Sequence, residues 1–171
     1  MQIIHIIEST ATGTLSMVEL LANQQVAQHE VTVIYSLRED TPKTLQDIFD
    51  PRVKLHYIDM SPKHAVKAVW RLRQYIKTMP HAVVHCHSSV AGFLGRLAVW
   101  RLPNQCFYSP HCIAFMRTDI SPFTRRVFVG LEKLALLFGH RYIACSHSEA
   151  DYIQQYLPGA HVDTVENAVD F

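Results

Sequence analysis

Charge of a single sign is the first thing this sequence lacks. Sixteen Lys and Arg against fifteen Asp and Glu leave a formal +1 over 171 residues. No basic excess therefore points to a nucleic-acid partner, and none is expected. Long apolar runs are missing too: none approaches the ~20 residues that span a bilayer. The opening Met-Gln-Ile-Ile-His-Ile-Ile-Glu has no basic leader, so a signal peptide is not expected. Cysteine is sparse, at Cys86, Cys106, Cys112 and Cys145, without a C-x-x-C spacing. That pattern does not suggest a small disulfide scaffold, and a reducing cytoplasm is the simplest compartment. Only six glycines occur, none arranged as G-x-G-x-x-G, so the usual dinucleotide site is not expected either.

What is present is an ordered, one-domain composition: 49% hydrophobic and 18% charged residues. Histidine is abundant, with eleven in the chain. The stretch His81–Arg96 reads H-A-V-V-H-C-H-S-S-V-A-G-F-L-G-R. It begins as a buried strand and turns helical near Val90, with Ser88 or Ser89 in place to cap the helix. Gly92 and Gly95 share one helical face, and each costs about 1 kcal/mol relative to Ala. Something must lie close against that face, either the sheet or the sheet together with a ligand.

Along the chain, strands are expected at Ile3–Ile7, Val31–Tyr35, Val53–Ile58, the run before His85, Gln105–Ser109, Tyr142–Cys145 and Val162–Val165. Helices are expected at Leu15–Gln28, Leu45–Phe49, Pro62–Met79, Val90–Arg101, Pro122–Phe138 and Glu149–Tyr156. The Pro62–Met79 helix carries Ala65, Val69, Leu72, Tyr75, Ile76 and Met79 on one face. Lys63, Lys67, Arg71 and Lys77 lie on the other, with Trp70 beside them. Such a basic face is either plainly solvated or rests on anionic lipid. The Pro122–Phe138 helix is apolar nearly all round, which favours a deeply packed core element over one set against a membrane or another domain. Strands alternating with helices give an α/β fold with a doubly wound, mostly parallel, Rossmann-like sheet.

Polar residues gather at the carboxyl ends of successive strands: Glu8-Ser9-Thr10, His85 to Ser89, His111, and Ser146 to Glu149. This edge of an open α/β sheet is where ligands bind. An anion could also rest at the start of the first helix, near Gly13 and Thr14. His85-Cys86-His87 with His111-Cys112 raises the question of a metal. However, H-x-H on a strand is expected to aim only one ring at ligand space, and no carboxylate stands near to orient the ligands, so no metal is assigned. A serine nucleophile is not favoured, because no G-x-S-x-G turn occurs.

Four short patterns, in order, resemble glycosyltransferase family 4. H-S-S-V-A-G-F-L-G-R at 87–96 is similar to that family's H-x-H-x-x-x-A-G-x-x-G-R, counted from His85. S-P-H-C at 109–112 resembles T-P-H-G, S-H-S-E at 146–149 resembles S-x-x-E, and V-E-N-A-V-D at 165–170 resembles V-x-N-G-V-D. Cys112 and Ala168 stand where the family has Gly, and Ala-Thr-Gly at 11–13 replaces its frequent Gly-Gly pair.

The resemblance implies one N-terminal Rossmann-like domain of a two-domain GT-B-type enzyme, here 1–171, with the donor-binding domain absent. It implies retaining, metal-independent transfer from a nucleotide-sugar donor to a glycan or lipid-linked acceptor, without a cofactor, in surface polysaccharide synthesis. A cytoplasmic enzyme is implied, peripheral at the inner face of the membrane. By matching position, His111 is the expected catalytic residue. Gly13, Thr14, His87, Ser88, Arg96, Ser146 and Glu149 are expected to bind substrate, with Glu149 also bracing the loop after Ser146. These residues alone are expected to be inactive. The alternatives are a free-standing ligand- or partner-binding module, or a nucleotide-sugar epimerase of similar architecture.

Overall fold

A computed structural model describes the chain except Ser9, Ala11, Asp40 and residues 167–171, and gives only the backbone of Thr12. Seven strands form one sheet: β1 (Gln2–Ile7), β2 (Glu30–Tyr35), β3 (Lys54–Tyr57), β4 (Val83–His87), β5 (Gln105–Ser109), β6 (Arg141–Ala144) and β7 (Val162–Thr164). The order is β3-β2-β1-β4-β5-β6-β7, and every pairing is parallel. The chain winds outward from β1 to β3, then returns to β4 on the other side of β1. The β1–β4 boundary is thus the switch point, where the two crossover directions part and leave a crevice.

The helices are α1 (Thr12–Gln25), α2 (Ala65–Lys77), α3 (Ser89–Val99), α4 (Pro122–Ala135) and α5 (His147–Tyr156). Strand alternation divides the core between the two faces of the sheet. Ile4, Ile6, Val84, Cys86, Cys106 and Tyr108 pack under α2, α3 and α5. Ile3, Ile7, Val31 and Val33 pack under α1, together with Leu45 and Phe49. Leu45 and Phe49 are buried as expected, but their segment is a series of turns and not a helix. The first helix also begins earlier than its apolar pattern implies, at Thr12, and ends at Gln25. Pro62 opens a short 3-10 turn, and α2 follows from Ala65.

The two glycines of α3 meet the sheet itself. A Cβ at Gly92 would overlap the Tyr108 ring, and one at Gly95 would press on Cys86 Sγ and Ile6. The close approach is thus made by side chains of β1, β4 and β5. Ser88 occupies the N-cap position of α3 at φ 63°, with no side-chain cap hydrogen bond, so the expected serine cap is not made.

The burial expected of α4 is overturned as well. Only Glu132 and Ala135 of α4 are buried, while Phe123 is 75% exposed and Val127, Leu131 and Leu134 are exposed as well. The helix lies on the outside of α3, and its apolar excess points outward instead of into the core. α2 behaves as its periodicity implies, with Ala68, Leu72 and Ile76 buried and Lys67, Arg71 and Lys77 exposed, as is Lys63 in the turn before it.

Candidate functional site

The site grows out of parallel register. His5 pairs with His85 across the β1–β4 boundary, and Ile7 with His87, so His5, His85 and His87 all project from the α1 face of the sheet. His85 and His87 share that face, with ring centroids 4.0 Å apart, but only His85 lines the cavity described below, in line with the H-x-H expectation. β5 adds Ser109, whose hydroxyl lies 2.8 Å from His85 Nε2. Just past β5, His111 Nε2 lies 3.0 Å from His87 Nδ1, and the two rings stack. Behind them, His5 bonds His87 at 3.0 Å and the Gln25 side chain at 2.8 Å.

Burial sets the charge state of this cluster. It lowers the pKa of His5 to about 4, despite the opposing hydrogen bond that His5 donates to Gln25. His85 and His87 are held well below the usual histidine range, first by burial and then by their imidazole neighbours. Burial also lowers His111, partly countered by the Glu149 carboxylate. Burial thus favours the neutral imidazole at all four positions. One nitrogen from each of His5, His85 and His87 lies within 4.8 Å of the others, so these three could hold a cation. In the structure the His5 and His87 nitrogens are spent on a hydrogen bond to each other, which an ion would have to displace.

A cavity of about 320 Å³ opens beside the cluster, lined by His5, Gln25, His85, Phe107, Ser109 and His111 among others. Its wall is α1, and its floor is the stretch of β4, β5 and β6 that α1 does not reach, where Val83, Phe107 and Ile143 are only half-buried.

The loop bearing His111 is held from below. Glu149 is buried, and its carboxylate accepts from the backbone amides of Cys112, Ile113 and Cys145 at 2.9–3.0 Å. His111 and Cys112 both have positive φ, 52° and 81°, a turn that brings these amides onto Glu149. Ser146 caps α5 by accepting from Glu149 N at 3.2 Å. The S-x-x-E pattern is thus a helix cap whose acid also clamps the neighbouring loop.

The other expected substrate-binding residues fall in different places. His87 is fully buried; it backs His111 and does not line the cavity. Ser88 Oγ is buried and has no hydrogen-bond partner among the described residues. Gly13 is exposed at the start of α1 with open space where a Cβ would stand, and Thr14 is half-buried beside it. Neither is among the residues that line the cavity. Arg96 is completely buried, out of reach of any substrate in this conformation. Its guanidinium makes a two-pronged ion pair with Glu132 at 2.8 and 2.9 Å, donates to Gly92 O, and lies 4.0 Å over the Tyr108 ring. It fastens α3 to α4. The 167–170 part of V-E-N-A-V-D lies outside the described residues, whereas Val165 and Glu166 line the cavity.

Two residues of the site were missed in the sequence. His5 was read only as part of a buried strand, although a histidine in that apolar run stood out. Gln25 carried no signal of its own.

The fold is a Rossmann-like α/β domain with an all-parallel sheet, and solved structures of similar fold exist. The chain superimposes with a TM-score of 0.72 on Alr3699/HepE from Anabaena, crystallised in complex with UDP, at 17% identity over 99% of this chain and 45% of that one. A glycosyltransferase from Rickettsia africae gives 0.65 at 15% identity, over 99% and 43%. A protein from Listeria monocytogenes assigned as a UDP-N-acetylglucosamine 2-epimerase gives 0.60 at 12% identity, over 90% and 42%. The chain spans less than half the length of each. No curated protein sequence matches it significantly. The family model for glycosyltransferase family 4 matches residues 12–171, and the chain belongs to that family.

Proposed function

We propose that this chain is the N-terminal, acceptor-side domain of a retaining glycosyltransferase that needs no metal for transfer. The enzyme moves a sugar from a nucleotide-sugar donor to a glycan or lipid-linked acceptor in surface polysaccharide synthesis. The observation that carries this reading is the seating of His111. It lies over the carboxyl ends of β4 and β5, bonded to His87 and braced by Glu149, on the rim of a cavity.

In such a transfer the protein's task is to orient two substrates and stabilise developing charge. A neutral His111 can share a hydrogen bond with a reacting oxygen or a neighbouring sugar hydroxyl. Gly13 and Thr14 leave the α1 N-terminus open to an anionic group. The UDP in the Anabaena structure supports a nucleotide-linked donor, held mainly by a second domain. These residues alone are then inactive.

No helix among the described residues is long and apolar enough to cross a membrane. The basic face of α2 with exposed Trp70, and the outward apolar residues of α4 beside Arg125, Arg126 and Lys133, support contact with an anionic membrane surface in the cytoplasm.

The direct test is to assay the complete enzyme with a panel of nucleotide sugars and lipid-linked acceptors, with and without a chelator. Transfer with retained anomeric configuration, indifferent to the chelator, is the expected result. Ligand binding without any turnover would favour a non-catalytic module, and loss of turnover with the chelator would overturn metal independence.

A further inference from the structure

Four side chains form one hydrogen-bonded string across the switch point: Gln25 at the end of α1, His5 on β1, His87 on β4 and His111 beyond β5. The links are Gln25 Oε1 to His5 Nε2 at 2.8 Å, His5 Nδ1 to His87 Nε2 at 3.0 Å, and His87 Nδ1 to His111 Nε2 at 3.0 Å. A neutral imidazole has one N–H and one lone pair, so the first link dictates the rest. The Gln25 carbonyl oxygen only accepts, so His5 carries its proton on Nε2 and offers a lone pair at Nδ1. His87 then donates from Nε2 and accepts at Nδ1. His111 must donate from Nε2, which leaves its Nδ1 as the base of the string.

We propose that Gln25 and His5 are positioning residues for His111, which fix, through His87, the tautomer and ring orientation that His111 presents at the cleft. Neither residue lies in the patterns that carry the family resemblance. The string is built for this task in two respects. Its inner members are fully buried, so water cannot supply a competing donor or acceptor that would let the polarity reverse. Its members also come from β1, the end of β4, the loop after β5 and α1, locked together by sheet register and α1 packing, so the nitrogens stay within hydrogen-bonding reach.

The groups facing the string do not disturb its direction. His85 lies tilted against His87, 4.0 Å between ring centroids, but spends its Nε2 on Ser109. Glu149 reaches backbone amides, and its charge acts on His111 only through space. Burial disfavours protonation of every ring. An imidazolium would present two N–H groups and break the order at its own position.

The tautomers can be read by proton–nitrogen correlation NMR on the isotope-labelled chain near neutral pH. His5, His87 and His111 are each expected as single Nε2–H tautomers. Gln25→Glu keeps an acceptor at the end of the string and is expected to leave all three unchanged. Gln25→Leu removes the acceptor and is expected to give a mixture of tautomers at His111. The kinetic consequence rests on the proposed transferase reading: in the complete enzyme, Gln25→Leu is expected to lower kcat about tenfold with KM unchanged, and Gln25→Glu to restore it. An Nδ1–H tautomer at His5 in the native chain, or an unchanged His111 tautomer in Gln25→Leu, would overturn the proposal. Native kcat in Gln25→Leu would overturn the positioning role. The two readings fail separately: a full transfer rate in His111→Ala removes the catalytic role of His111, while the tautomer measurement still decides the string.

Discussion

Cys112 has φ 81°, a backbone region where a Cβ costs roughly 1–2 kcal/mol. Glycine, which the family's pattern has at this place, adopts that conformation without a clash. Cys112→Gly is therefore expected to stabilise the chain by up to about 1 kcal/mol, because its looser unfolded state offsets part of the gain. Cys112→Val is expected to destabilise it, and urea unfolding of both variants checks the sign. Glu149 carries a larger share, since three backbone amides end on its carboxylate. Glu149→Ala orphans all three and is expected to cost about 3 kcal/mol in the same measurement. His111 was legible in the sequence through S-P-H-C. Glu149 was legible too, although its reach to Cys112 and Ile113 was not. His5 stayed hidden because its hydrogen-bond partner, His87, is 82 positions away, and only the pairing of β1 with β4 brings the two rings together.

At the level of elements, apolar periodicity located nearly every strand and helix, since burial on a parallel sheet leaves continuous apolar runs. It failed for α4, where the count of apolar residues says nothing about which side has a partner. It failed in another way for Arg96. A motif arginine beside a cleft reads as a substrate contact, yet its guanidinium folds back onto the Gly92 carbonyl of its own helix and meets Glu132 inside the protein. Burial works against the Arg96 charge, and Glu132 more than offsets this, so its pKa is raised. His140 closes the same cluster, with its Nε2 accepting from Arg96 at 3.0 Å. Tyr142, Tyr108 and Glu132 are the other groups around it. Burial, with the Arg96 charge, lowers the His140 pKa to about 3. Between that value and the ordinary 6.5, the unfolded chain binds a proton that the folded one refuses. The stability this group contributes is thus complete above the ordinary value and is lost as pH falls toward the folded one, at no more than about 1.4 kcal/mol per pH unit. His140→Phe is expected to flatten that part of the acid-unfolding curve, and an unchanged slope would count against it.

Over the whole molecule, the doubly wound topology puts the switch point between β1 and β4. That single fact gathers His5, His85, His87, Ser109 and His111 from three separate stretches of chain onto one face of the sheet. The alternation of strands and helices implied this gathering. The extent of the cavity was not implied, because it depends on α1 stopping short of β5 and β6. The outer surface can be tested separately. Exposed Phe123 at 75% and Trp70 at 60% are expected to contact anionic vesicles at low salt, with Phe123→Glu weakening the binding roughly tenfold. Native-strength binding by that variant would remove α4 from the contact. The most direct measurement of the central claim is sugar transfer by the complete enzyme carrying His111→Ala. A fall of about a hundredfold or more in kcat is expected, with the fold intact by circular dichroism; transfer at the native rate would contradict it.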